Sequence, residues 1–206
     1  MPKDTFFNLD EEKRNRVFQA ILNEFIRAPL EEALVKNIVN NAKIPRGSFY
    51  QYFVDKEDAL RYLISKIRAQ GEKEIIHEVD LAKTDVYNYI RYIFLREKRF
   101  IDEGHVSYSM KLLDQIAKSE RATTIFNEVI INSMKNNSLF KSSWINSGLN
   151  RLPEEKQEAI MELLISSLKE ALLFILHHKD KSKEAQEKLE FKLTIIKEGI
   201  NAMLKR

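Results

Sequence analysis

The sequence predicts an all-α protein, and three observations support this prediction. Apolar residues recur at intervals of three and four along almost the whole chain of 206 residues, as on one face of a helix. Glycine (5) and proline (4) are scarce, whereas sheet proteins use both in turns. Apolar residues make up 44% and charged residues 32%, a balance typical of globular proteins. We expect about nine helices, in an N-terminal three-helix domain (residues 1–55) and a C-terminal helical domain (residues 56–206).

The first two helices are predicted over residues 9–28 and 31–42. Asn8, with Glu11 three residues later, resembles a capping box that would begin the first helix. Pro29 forces the residue before it out of helical geometry and should end that helix. The second helix is short, and acidic residues in its first turn suit the positive end of the helix dipole.

The third helix is predicted over residues 45–52, with Pro45 at its first position, where a missing N–H has no cost. Asp55 should cap a longer fourth helix that begins at residue 56. Polar and glycine-containing breaks delimit about five more helices. The last two, residues 154–177 and 183–205, are the longest and most apolar of these.

Composition excludes several functional classes. The chain has no cysteine, which rules out disulfides, thiolate catalysis and cysteine-ligated metals. Its longest apolar run, residues 171–176, is too short to span a bilayer, and its start lacks the layout of a signal peptide. We therefore expect a cytoplasmic protein without a membrane partner.

The charge distribution indicates a few contacts with phosphates. The net charge is only +3. Between residues 36 and 56, however, the sequence has four cations and only one anion, Asp55. The cations are Lys36, Lys43, Arg46 and Lys56. A small basic patch on a nearly neutral protein suits a dimer that contacts DNA at two separated spots, rather than a general polyanion binder.

The second and third predicted helices form a DNA-reading unit. Two short helices joined by a tight turn and packed on a longer helix predict a helix-turn-helix, whose second helix enters the major groove. Phe49 and Phe53 lie four residues apart and should anchor this helix to the core. Tyr50 and Gln51 then point outward, where Gln51 can pair with adenine and the Tyr50 hydroxyl can reach a phosphate.

Other residues of this unit suit close contact with DNA. Gly47 lacks a side chain, so the backbone can approach the duplex closely. Arg46 can reach a guanine edge or a phosphate. Lys56 combines its charge with the free N–H groups of a helix start, which suits a phosphate.

The run Gly47-Ser-Phe-Tyr-x-Tyr-Phe-x-x-Lys-Glu-Asp58 resembles the N-terminal domain of the TetR family of transcriptional regulators, and the resemblance covers residues 11–60. It implies that an adjoining helical domain binds a small molecule. With the resemblance, the predicted DNA-binding residues are Lys36, Pro45, Arg46, Gly47, Ser48, Tyr50, Gln51, Tyr52 and Lys56.

The sequence departs from this family at three places, one of which lies near Ala28, where glycine is common and Pro29 would take over its role of ending the helix. Lys43 stands where the family usually has glycine, and a non-glycine residue in a left-handed conformation costs roughly 1–2 kcal/mol. Ala33 and Leu34 stand where threonine or serine is common, which removes an expected hydroxyl contact with a phosphate.

Aromatic residues and methionines are frequent in the C-terminal domain, and most of them should belong to its core. A helical bundle of this composition can also leave an apolar cavity with a few hydroxyls, as small-molecule sites require. The predicted ligand-binding residues are Phe94, Tyr108, Leu112, Phe126 and Trp144.

The last two helices carry apolar seams that predict a four-helix interface between two subunits. The predicted dimer contacts are Leu164, Leu168, Ile175, Leu193, Ile196 and Ile200. A homodimer would place its two reading helices about 34–36 Å apart on a palindromic operator. The family resemblance implies a repressor that a small, largely apolar ligand releases from DNA.

Two alternatives remain open from the sequence. Glu74 and His77 have the spacing of a di-iron ligand pair, but a second such pair is missing. We therefore expect no enzymatic activity, no metal and no other cofactor. A helical adaptor that binds protein instead of DNA would need another use for the outward polar residues of the third helix.

Overall fold

A computed structural model describes residues 2–76, 80 and 84–205, and these residues form helices without any strand. The predicted all-α class is confirmed. The additional short helix α1 has four residues. The helices are α1 (Asp4–Phe7), α2 (Glu11–Arg27), α3 (Val35–Ala42), α4 (Arg46–Tyr52), α5 (Lys56–Ile76), α6 (Val86–Asp102), α7 (Tyr108–Ala117), α8 (Glu120–Asn136), α9 (Ser138–Asn146), α10 (Glu154–His177) and α11 (Ser182–Leu204).

The chain divides into two compact units. The N-terminal unit comprises the chain up to Gly71 together with Lys111–Ile130, and the C-terminal unit comprises Glu72–Met110 and the chain from Ile131 onward. Parts of α7 and α8 therefore pack with the first five helices. The functional boundary expected between residues 55 and 56 stays a prediction.

The start of α2 differs from the predicted one. Asp10, not Asn8, is the N-cap, because its carboxylate accepts the backbone N–H of Lys13 at 2.7 Å. The helix ends as predicted before Pro29, with Ala28 in an extended conformation. Its buried face includes Val17, Ile21 and Phe25.

The second helix of the DNA-reading unit is shorter than predicted and begins at Val35. Residues 29–33 form a turn instead, in which the N–H groups of Glu32 and Ala33 both donate to the Pro29 carbonyl. Leu34 is extended, and its N–H donates to the carboxylate of Glu24 at 2.7 Å instead of to a carbonyl within a helix. The helical period of the sequence does not reveal this long-range acceptor.

The turn between α3 and α4 is left-handed at Lys43, with φ 54° and ψ 49°. The N–H groups of Lys43 and Ile44 return to the carbonyls of Asn40 and Val39. Pro45 occupies the N-cap of α4 and not the predicted first helical position. Lys43 therefore occupies a left-handed position, at which any residue other than glycine has a steric cost.

Helix α5 begins where predicted, at Lys56. Asp55 accepts the N–H of Asp58 at 2.8 Å, and the Asp58 carboxylate in turn accepts the N–H of Val54 at 3.2 Å. Together these two hydrogen bonds fix the path of the chain from α4 into α5.

In the C-terminal unit, α6, α10 and α11 pack on one another. Arg91 on α6 and Glu190 on α11 form a two-point ion pair at 2.6 Å. The indole N–H of Trp144 on α9 donates to the Gln157 side chain on α10 at 2.8 Å. Burial of the apolar faces supplies most of the stability, at about 1.5–3 kcal/mol for each large side chain.

This packing corrects the predicted dimer interface. The apolar seams of α10 and α11 are enclosed within one subunit, and only Leu168 of the six predicted contacts is partly exposed. Both seams are needed to bury the two helices against α6 and against each other. The enclosed residues are Leu164, Ile175, Leu193, Ile196 and Ile200.

Candidate nucleic-acid interface

Helix α4 has one apolar face and one polar face. Phe49 and Phe53 are fully buried, with ring centroids 5.4 Å apart, which confirms their predicted role as anchors. Tyr50 lies 41% exposed, and Gln51 is also exposed. The polar face therefore points away from the core of its own chain, as a groove-reading helix requires.

Most of the predicted DNA-binding residues lie on the surface of the N-terminal unit. Ser48 and Lys56 are half-buried. The exposed members of the set are Lys36, Pro45, Arg46, Gly47, Tyr50 and Gln51. This surface, which we call the α4 surface, carries the cations Lys36 and Arg46 and the hydrogen-bonding side chains of Tyr50 and Gln51.

The space around Gly47 is open. A Cβ atom added at this residue would meet no atom within 4 Å. The fold itself therefore does not require glycine in the first turn of α4. The position leaves room for another molecule against the backbone.

Tyr52 corrects the predicted set. The residue is only 5% exposed, and its ring packs beside Phe6 with centroids 5.9 Å apart. It lies on the anchoring side of α4 with Phe49 and Phe53. The sequence did not predict this arrangement because α1, which supplies Phe6, was not recognised as a helix.

Lys56 has partners within its own chain. Its ammonium group donates to the carbonyls of Glu31 and Ala33 at 3.0 and 3.2 Å. These bonds tie the start of α5 to the turn before α3. The predicted contact of Lys56 with a phosphate stays a prediction.

Glu24 holds the turn before α3 in place. It is 2% exposed, and its carboxylate accepts hydrogen bonds from Arg27, the Leu34 N–H and the Asn37 amide at 2.6 to 3.2 Å. Burial alone would raise the pKa of Glu24, but these donors outweigh it and lower the pKa below its usual value. The ionised carboxylate therefore orients the start of α3.

Polar contacts that the sequence did not predict connect the α7–α8 segment to the turn before α3 and to the start of α5. The Ser119 hydroxyl, at the start of α8, donates to the Glu31 carboxylate at 2.7 Å. Arg121 pairs with Glu57 at 2.6 Å, and this guanidinium holds the pKa of Glu57 below its usual value. These partners lie far apart in sequence, so no local pattern could reveal them.

The predicted ligand-binding residues occupy different environments. Phe94 and Trp144 are buried in the C-terminal unit, where Tyr108 is 60% exposed. Leu112 and Phe126 belong to the N-terminal unit. The predicted pocket stays a prediction.

Leu112 lines a narrow crevice with Phe25, Leu60 and Ile116, and this crevice has no space for even a water molecule.

Among the described residues we find neither a cluster of metal ligands nor a membrane-spanning helix. No three of their histidine, aspartate and glutamate side chains lie close enough to hold an ion. His77, half of the predicted di-iron pair, lies outside the described residues. No described helix is long and apolar enough to cross a membrane.

Comparison with solved structures shows which fold these helices form. FadR from Bacillus halodurans, a fatty acid degradation regulator, is similar over 92% of this chain and 96% of its own, with a TM-score of 0.57 and 16% identity. A TetR transcriptional regulator from Rhodococcus sp. RHA1 is similar over 91% and 97%, with a TM-score of 0.57 and 12% identity. The chain has the TetR fold.

A third solved structure extends the comparison. FadR from Bacillus subtilis, in complex with stearoyl-CoA, is similar over 87% of this chain and 97% of its own, with a TM-score of 0.56 and 14% identity. No protein-family model and no curated protein sequence matches the chain. At these identities the TetR fold is what the comparisons establish.

Proposed function

We propose that this protein is a dimeric, sequence-specific DNA-binding transcriptional regulator of the TetR type. The observation that carries the proposal is the α4 surface, where Arg46, Tyr50 and Gln51 are exposed on a helix whose opposite face is fully buried. The TetR fold supports the same function.

The α4 surface suits both positioning and reading. Arg46 and the Tyr50 hydroxyl can bond phosphate oxygens, which fixes orientation without reading sequence. The Gln51 amide can pair with the N6 and N7 atoms of adenine in the major groove. Gly47 leaves the backbone of α4 open to close approach.

A symmetric dimer would present this surface twice. In place of the enclosed seam, we propose a dimer face built from exposed apolar residues of α10 and α11. Phe191 is 68% exposed, Ile195 is 56% exposed and Leu163 is 51% exposed. Phe191 and Ile195 lie four residues apart on one face of α11, and a contiguous exposed apolar patch of this kind is typical of a protein interface.

The proposed regulation is release from DNA by a small, largely apolar ligand. The stearoyl-CoA bound by one neighbour has a long apolar chain and supports this ligand class. A ligand that binds better to a form with a different spacing of the two α4 helices lowers DNA affinity by that difference.

A selection from genomic DNA fragments tests the function. We expect retained fragments to share a palindromic sequence whose half-sites are centred about one helical turn, 10–10.5 base pairs, apart. We also expect the logarithm of the association constant to fall linearly with the logarithm of the salt concentration. Retention without a shared sequence, or no retention, would contradict the proposal and favour a protein-binding adaptor.

A further inference from the structure

The C-terminal end of α4 presents a hydrogen-bonding problem. The last four carbonyls of any helix lack partners within the helix. In α4 the Phe49 carbonyl accepts the N–H of Phe53 at 2.8 Å, which leaves the carbonyls of Tyr50, Gln51 and Tyr52. A helix of seven residues has few other bonds to hold it together.

Residues 3–6, which we call the N-terminal strap, supply the three missing donors. The Lys3 ammonium donates to the Tyr50 carbonyl at 2.8 Å, and the Thr5 hydroxyl donates to the Gln51 carbonyl at 2.5 Å. The backbone N–H of Lys3 donates to the Tyr52 carbonyl at 2.9 Å. All four terminal carbonyls of α4 therefore have partners.

Phe6 anchors the strap in the core. Its side chain is fully buried, and its ring centroid lies 5.1 Å from that of Phe53 and 5.0 Å from that of Tyr62. The aromatic contacts hold the strap across the end of α4, where the positive charge of Lys3 also complements the helix dipole.

We propose that the N-terminal strap positions the recognition helix, so that DNA binding depends on residues outside the helix-turn-helix. This inference rests on the proposed function. The two strap side chains bond the carbonyls of Tyr50 and Gln51, the residues that would contact phosphate and base. Without the strap, the last turn of α4 frays, and the side chains of Tyr50 and Gln51 lose their fixed orientation in the DNA-free protein.

Hydrogen exchange of the full-length protein without DNA tests the strap itself. Thr5→Val removes the hydroxyl donor and changes neither charge nor shape appreciably. We expect the amides of α4 to exchange about fivefold faster, the effect of one lost hydrogen bond. Thr5→Ser keeps a hydroxyl and should restore the wild-type rate.

Thr124→Val is the matched control, because the exposed Thr124 hydroxyl donates to the Glu120 carbonyl at 3.0 Å within α8. Exchange in α4 should be unchanged in this control. Equal exchange of α4 in Thr5→Val and the wild type would overturn the inference, whatever the protein does with DNA.

DNA affinity separates this inference from the proposed function. On a fragment that the wild type selects, Thr5→Val should bind about fivefold more weakly, and Thr5→Ser and Thr124→Val should bind like the wild type. Faster exchange with unchanged affinity would overturn the positioning role. A wild type that selects no sequence overturns the proposed function, while the exchange result still decides whether the strap holds α4.

Discussion

The carboxylate of Glu24 on α2 accepts the backbone N–H of Leu34, ten residues later, at 2.7 Å. This bond gives Leu34 its extended conformation and sets where α3 begins. The same carboxylate binds Arg27 and Asn37, so one buried charge connects α2, the turn and α3. The position of the helix-turn-helix depends on this ionised group.

Replacement of Glu24 should therefore destabilise the N-terminal unit. Glu24→Gln puts an amide donor among three donors and should lower the free energy of unfolding by about 1–3 kcal/mol. Urea unfolding followed by circular dichroism measures the change. Glu32→Gln, an exposed change in the same turn, should have little effect. Equal stability of the two variants would contradict the role of Glu24.

The lowered pKa of Glu24 predicts a pH dependence of stability. A carboxyl group whose pKa is lower in the folded state stabilises that state above its unfolded pKa of about 4.3. This contribution is lost as the pH falls through the lower folded pKa. The stability difference between wild type and Glu24→Gln should therefore shrink below about pH 4, which unfolding curves from pH 3 to 7 would show. A constant difference would contradict the assignment.

Lys43→Gly should stabilise the protein. Lys43 adopts a left-handed conformation that costs a non-glycine residue about 1 kcal/mol or more. Thermal unfolding should show a higher midpoint for this variant. Lys36→Gly removes the same charge from the first turn of α3 and should have the opposite effect, because glycine favours helix less than lysine does. A lower midpoint for Lys43→Gly would show that the lysine side chain contributes more than the strain costs.

Gly47→Ala should separate stability from DNA binding. The added methyl group meets no atom of the chain, and alanine favours helix more than glycine does. Stability should be unchanged or higher, whereas affinity for a selected fragment should fall at least about tenfold, or 1.4 kcal/mol. Fluorescence anisotropy and thermal unfolding of one sample measure both. Unchanged affinity would place the DNA away from the first turn of α4.

Phe191→Glu should convert the dimer into monomers. The side chain is 68% exposed on α11, and a charge within a buried interface is costly without a partner. Sedimentation velocity at several concentrations measures the change. Phe100→Glu, at a 37% exposed site on α6, is the matched control and should leave the dimer intact. A Phe191→Glu dimer as tight as wild type would contradict the proposed face.

Local patterns predicted much of this structure. The α5 cap at Asp55 and the anchors Phe49 and Phe53 depend on nearby residues, and the structure confirms them. The start of α3 was wrong because its decisive partner, Glu24, lies on another helix.

The dimer seam was wrong for a related reason. A helix with two apolar faces shows the same periodicity whichever face its own subunit uses. In α11, Leu193 packs inside the subunit while its near neighbour Phe191 stays exposed. Tyr52 was misplaced because the strap residue Phe6, which covers it, carries no helical signal in so short a segment.

The most direct test of the central claim is the base preference of Gln51→Ala. Anisotropy titrations would compare wild type, Gln51→Ala and the exposed control Gln70→Ala against single-base variants of a selected fragment. We expect Gln51→Ala to lose about 1–3 kcal/mol of discrimination at one base pair in each half-site, while Gln70→Ala discriminates like the wild type. Unaltered discrimination at every base pair in Gln51→Ala would contradict the reading role of α4.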